Sequence, residues 1–372
     1  MMRRLILFLF CVGLAPPVLS QEVAAPAELV QWVELRSELL SEHWGRSVHM
    51  QAGVVLPEDY RPGEEQIPAC YSIHGFGGSH RSAARAAPLL RRRMAEEGYP
   101  RMAYVFLNAR CPLGHHEFAD SANNGPWGRA LVEELVPELE RRFELPAEPA
   151  GRLLTGHSSG GWSSLWLQLR HPRLFGGTWS TAPDPVDFRD FTGVDIYSWS
   201  NAYTDPEGQE VPLIRGRDGL WRTSLREFCQ QELERRGDHG GQMASFDAVF
   251  SPRGEDGRPM PLFDRSTGVI DPEVARAWER YDIRLVLERE WAELGPLLRG
   301  KLRIWIGDQD TFRLEGAVRL LAAELEALGS DAEVLLVPGR DHGSLFQPHE
   351  ELWPGGMLER IHREMLGAWG RR

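Results

Sequence analysis

The chain has 372 residues, 42% of them apolar and 26% charged, which is the balance of a globular protein with a substantial core. Its formal charge of −12, without a sustained basic run, argues against nucleic acid or an anionic membrane as partner. Thirty-eight glycines and 26 prolines are scattered and form no repeat or low-complexity tract.

In chain order, residues 1–20 come first. "MMRR" is a basic start, "LILFLFCVGLA" an apolar run too short to span a bilayer, and "PPVLS" a small-residue cleavage site before Gln21. This is the pattern of a secretory leader, so the mature chain is expected to be exported, periplasmic or secreted, without a membrane anchor. Removing it takes away two arginines and no acid, leaving the rest more acidic still.

Short apolar runs then alternate with helical patterns. Strands are predicted in "SVHMQAGVVLP", "PACYSIHG", "MAYVFLNA", "GRLLTG", "GGTWSTA", "KLRIWIG" and "AEVLLVPG". Helices are predicted in "PWGRALVEELVPELERRF", in "SGGWSSLWLQLR" up to Pro172, in "LEGAVRLLAAELEALG" and in the terminal "GMLERIHREMLGAWG". Such alternation predicts an α/β fold, a mostly parallel sheet covered on both faces. Residues 184–300 break the rhythm with proline, glycine, charge and tryptophan, and are too long for a loop. The expected organisation is a leader (1–20), a core in two parts (21–183 and 301–372) and a lid-like insertion (184–300). The tryptophans of the insertion are read as core packing before sugar-stacking platforms.

"GHSSG" places Ser158 at G-x-S-x-G spacing between a strand and a helix. The motif is weak alone; the context is what makes Ser158 a candidate nucleophile on a strained turn, with Gly156 and Gly160 letting strand and helix approach. A nucleophilic serine needs a base and an acid to orient that base, at the ends of later strands. "GDQDT" offers Asp308 and Asp310, with Asp310 preferred because Asp308 stands where a turn cap does, and "RDHGS" offers His342. Asp341 adjoins the histidine and points the wrong way. The oxyanion that forms on attack needs amide donors already in place. Ser159 supplies one, and the "HGFGG" loop supplies the other through Phe76, with Gly77 second. His157 is read as packed into the turn.

"HGFGG", "GHSSGG", "GDQD" and "DHG", in this order, resemble the putative-esterase (esterase D-like) branch of the α/β-hydrolases. The resemblance covers roughly residues 45–183 and 300–350. It implies an α/β-hydrolase fold, the triad Ser158, Asp310 and His342, and ester hydrolysis without a cofactor.

After the third predicted strand, "GHHEFADSANNGPWG" lies at the same sheet edge. His115, His116 and Trp127 are expected to contact substrate there, and Asn124 with Gly125 and Pro126 to start the next helix. A metal site is weighed and set aside, since adjacent histidines diverge and no third ligand has a ligand-like spacing. Cys70 and Cys111 flank two strands, so a disulfide and free thiols both stay open. The expected function is a serine carboxylester hydrolase acting on a small-molecule or polysaccharide-linked ester. A serine peptidase with the same triad and a non-catalytic binding protein on this fold are the alternatives.

Overall fold

A computed structural model describes residues 29–237 and 240–370. The expected leader, residues 1–20, lies outside them. Eight strands form the central sheet: β1 Gln31–Ser37, β2 Val48–Val55, β3 Ala69–Ile73, β4 Ala103–Leu107, β5 Arg152–His157, β6 Gly177–Thr181, β7 Leu302–Gly307 and β8 Glu333–Val337. They stand in the order β1-β2-β4-β3-β5-β6-β7-β8. The β1–β2 and β2–β4 pairs are antiparallel, and every later pair is parallel. All seven predicted strands are present. β1 had no place among them. Its charged residues, Glu34 and Arg36, alternate with Val33 and Leu35, which is how an edge strand half in water reads.

Among the described residues, eleven α-helices flank the sheet or lie between its halves: α1 Glu38–Trp44, α2 Ser82–Met94, α3 Trp127–Ala130, α4 Val136–Phe143, α5 Ser159–Arg170, α6 Leu225–Arg236, α7 Gln242–Phe250, α8 Pro272–Trp278, α9 Ile283–Leu298, α10 Leu314–Ala327 and α11 Met357–Trp369. Adjacent strand residues face opposite layers. Cys70 and Tyr104 pack with α2 and α11, where the Tyr104 ring meets His362 edge-on at 4.7 Å. Tyr71 and Val105 pack with α1, α3 and α4. The helix expected over "PWGRALVEELVPELERRF" is not uniform. A wide π turn, Leu131–Leu135, joins α3 to α4 just before Pro137, which has no N–H to donate to a regular ladder.

Residues between β6 and β7 hold a two-stranded hairpin (Pro212–Arg215 with Trp221–Ser224), α6, α7, α8 and α9. The sequence shows no strand–helix alternation here, yet α9 is the crossover helix that a parallel β6–β7 pair requires, packed on α5 and α10. The rest of the segment shares one core with α5. Phe188, Phe191, Phe246, Phe250 and Trp278 form a ring cluster that reaches Trp162 and Trp166. Cys70, Cys111 and Cys229 are free thiols, so no disulfide joins Cys70 to Cys111. The Cys111 thiol instead donates to the Asn124 side chain at 3.3 Å.

Candidate active site

Ser158 sits between β5 and α5 with φ 59° and ψ −126°, a conformation that costs an L-residue free energy and persists only where its surroundings enforce it. The enforcement is steric and polar. A Cβ on Gly156 would come within 2.0 Å of the Gly160 carbonyl, and one on Gly160 within 2.0 Å of the Ile73 carbonyl, so β5, α5 and β3 are in backbone contact. The Ser158 amide donates to the Thr181 carbonyl at the end of β6, 3.1 Å away.

The ends of β7 and β8, beyond β6 on one side of the serine, bring Asp310 and His342 together. Asp310 is buried; its Oδ2 is 2.7 Å from His342 Nδ1, and its Oδ1 accepts from the Phe312 amide at 2.8 Å. Asp308 turns away and accepts from the Gly339 amide at 2.7 Å, so it shapes the neighbouring loop. Asp341 likewise accepts from the Gly343 and Ser344 amides within its own loop. His342 lies over the turn, its ring 4.3 Å from that of His157 and edge-on to Phe312 at 4.9 Å. Burial disfavours its imidazolium, but the Asp310 carboxylate, by charge and by hydrogen bond, prevails and lifts the pKa above its usual value, with smaller help from Asp184 and Asp341. His157 itself bonds to Thr181 Oγ1 at 3.1 Å and packs on Phe346.

On the other side, the loop after β3 rests on the serine. A Cβ on Gly75 would be 3.1 Å from Ser158 Cβ, which brings the Gly75–Phe76–Gly77 backbone over the hydroxyl. His74 braces this loop: Nδ1 bonds to the Gly75 carbonyl at 2.8 Å, and Nε2 accepts from the Ala109 amide at 2.9 Å. Burial, then the neighbouring His115, pushes its pKa down to about 3, so the ring is neutral. Ser159, the first residue of α5, is fully buried with its amide in the unpaired first turn.

Three residues expected at the substrate are elsewhere. His116 is fully buried and stacked on Trp127 at 3.8 Å, and Trp127 donates to the Asn124 carbonyl. His115 is turned inward, its Nε2 on the His74 carbonyl at 3.0 Å. None of the three lines the cavity at Ser158. Being near the sheet edge fixed the backbone, but the left-handed residues Glu117 and Phe118 turn this loop into the protein. The His115 and His116 rings are 6.1 Å apart, and no group of three or more His, Cys, Asp or Glu among the described residues is arranged to hold a metal. Nor does the Asn124 side chain cap α3, whose N-cap is Pro126.

The cavity at Ser158 is lined by Asp184, Pro185, Thr192, Leu213, Phe228, Gln242, Met243, Phe246, Phe312 and Leu314. Most belong to the segment between β6 and β7, and the room left is about 10 Å³. The residue that sequence reasoning missed is Asp184. Its carboxyl is buried and accepts from Ser158 Oγ at 3.2 Å and from Ser159 Oγ at 2.6 Å. In "TAPDP" it reads as an ordinary turn residue.

The sequence model of the putative-esterase family matches residues 41–282. An esterase of Mycobacterium tuberculosis (strain H37Rv) is 28% identical over 150 residues, 40% of this chain and 32% of that protein. The chain thus spans about a third of the length of the curated relatives it matches. Among solved structures, a ferulic acid esterase superposes with a TM-score of 0.55 at 13% identity, over 92% of this chain and 98% of the other. An S-formylglutathione hydrolase of Staphylococcus aureus superposes with a TM-score of 0.50 at 13% identity, over 91% and 98%. At these identities the likeness is one of fold.

Proposed function

The chain belongs to the putative-esterase family, and from that premise we propose that it is a serine carboxylester hydrolase working through Ser158, His342 and Asp310. The observation that carries the reading is the strained Ser158 backbone beneath a histidine held at 2.7 Å by a buried aspartate. Asp310 holds Nδ1 protonated, which leaves Nε2 free to take the Ser158 proton. Oγ then attacks the ester carbonyl, and the oxyanion is received by the amides of Ser159 and Phe76, with Gly77 beside them. His342 returns the proton to the leaving alcohol. Water, deprotonated by the same imidazole, attacks the acyl–Ser158 ester and releases the acid. The chain's own groups cover every proton in this cycle. The leader pattern of residues 1–20 makes this an exported enzyme in the same proposal.

Ser158→Ala is expected to lower hydrolysis of short p-nitrophenyl esters by at least ~10³-fold and to abolish labelling by a fluorophosphonate, with an unchanged circular-dichroism spectrum. Retained turnover in that variant would remove Ser158 from the mechanism. A p-nitroanilide with the same acyl group, run in parallel, separates esterase from peptidase.

A further inference from the structure

Asp184 has two faces. Oδ2 is committed, accepting from Ser159 Oγ at 2.6 Å and from Gln242 Nε2 at 3.4 Å. Oδ1 accepts only from Ser158 Oγ, at 3.2 Å. Behind it Glu117, also buried, accepts from Ser163 Oγ at 2.8 Å and contacts His115 Nδ1 at 3.2 Å. Among the described residues no arginine or lysine pairs with either carboxyl. Burial, then Glu117, raises the Asp184 pKa to about 7, so above neutrality it is an acceptor without a cation of its own.

Catalysis removes the one donor that Oδ1 has. When Ser158 gives its proton to His342 and becomes acylated, Oδ1 is left bare in a cavity with room for about 10 Å³. A buried acceptor stripped of its donor is costly; of the residues lining the cavity, Pro185, Leu213, Met243 and Phe246 offer no donor, Gln242 is already on Oδ2, and the unpartnered Thr192 hydroxyl makes no bond to Asp184. In the acyl-enzyme, an atom attached to the carbon next to the carbonyl lies roughly 3 Å from Oγ by bond lengths alone. It therefore reaches the place from which Oδ1 is approached. Resting on the reading of Ser158 as nucleophile, we propose that Asp184 selects short acyl groups bearing a hydrogen-bond donor, a hydroxyl or an ammonium, on that carbon. The donor restores the lost bond as the acyl-enzyme forms, so the selection acts on the chemical step.

The test is a series of p-nitrophenyl esters of one shape: propionate, isobutyrate, lactate and alaninate. Each kcat/KM is divided by the rate of that ester with hydroxide, because the donor groups also activate the carbonyl. Lactate and alaninate are expected to exceed propionate by about tenfold or more, and isobutyrate not to. In Asp184→Asn the amide oxygen must face the Ser159 and Gln242 donors, which turns the NH₂ toward the substrate. The alaninate advantage should then vanish. If propionate is cleaved as well as lactate and alaninate in the wild type, or if Asp184→Asn keeps the alaninate preference, the inference is wrong and the esterase reading stands. If none of these esters nor acetate is cleaved, the esterase reading fails and this inference with it. The wild-type series decides even if the variant does not fold.

Discussion

At the residue scale the two carboxyls of the site hold different partners, Asp310 the His342 imidazole and Asp184 the Ser158 hydroxyl. In the proposed cycle Asp310, which also accepts from the Phe312 amide, holds His342 ready as a base, while Asp184 accepts from the Ser158 hydroxyl when no substrate is present. The base must be neutral to act, so kcat/KM should fall as the pH drops through the His342 pKa. That pKa is raised, and the limb is expected above the ordinary histidine value of about 6.5. Asp310→Asn removes the chief raising influence and leaves the lowering effect of burial, so the limb should move to lower pH while kcat falls by about 10⁴-fold. A pH–rate profile of the two proteins checks both the position and the direction. A chelator should leave either profile where it is, because no step in the proposed cycle draws on a metal.

At the element scale the cavity at Ser158 is shaped by α7. Its N-terminal amides, Gln242 and Met243, are held by the Glu232 carboxylate of α6, and Ser245 hydrogen-bonds both the amide and the carbonyl of His115. The helix is thereby fixed to the core, and Gln242, Met243 and Phe246 form a wall that stays in place. Met243→Ala should widen the cavity and shift preference from acetate toward butyrate and hexanoate esters, read as the ratio of their kcat/KM values. This element also marks the limit of what the sequence reveals. The proposed nucleophile, acid and base, Ser158, Asp310 and His342, could be picked out because each follows an apolar strand run. α7 and α9 could not: "QMASFDAVF" packs nearly all round against neighbours that no local pattern names, and "IRLVLEREWAELGPLL", which keeps Glu288, Arg289 and Glu293 in water, follows a long run of turn signals. Asp184 was hidden for the same reason: its meaning comes from Ser158, 26 residues earlier, and from Gln242, 58 residues later. His115, His116 and Trp127 were misplaced because sequence gave the strand they follow, and the direction of their side chains came from two left-handed residues.

At the scale of the whole molecule, the segment between β6 and β7 is structural as much as it is a cover for the site. Trp278 is 1% exposed, donates to Ser251 Oγ at 2.8 Å and meets Phe188, Phe191 and Phe250 edge-on. Trp278→Ala should cost about 3–5 kcal/mol in a denaturant melt, and activity should be lost along the same curve as the fold. Loss of activity with no loss of stability would mean that the segment serves the substrate alone. The shared core also sets an order of events during synthesis. β7 and β8, which carry Asp310 and His342 beyond their ends, leave the ribosome only after the whole crossover has emerged. Until then β6 presents an open edge, and Trp162 and Trp166 lack the aromatic partners that cover them. A long interval between contacting strands slows their pairing and lengthens the time for which such surfaces are bare. The nascent chain is therefore exposed to self-association over the stretch in which Ser158 still lacks Asp310 and His342, and the candidate site comes together only as β7 and β8 close the sheet.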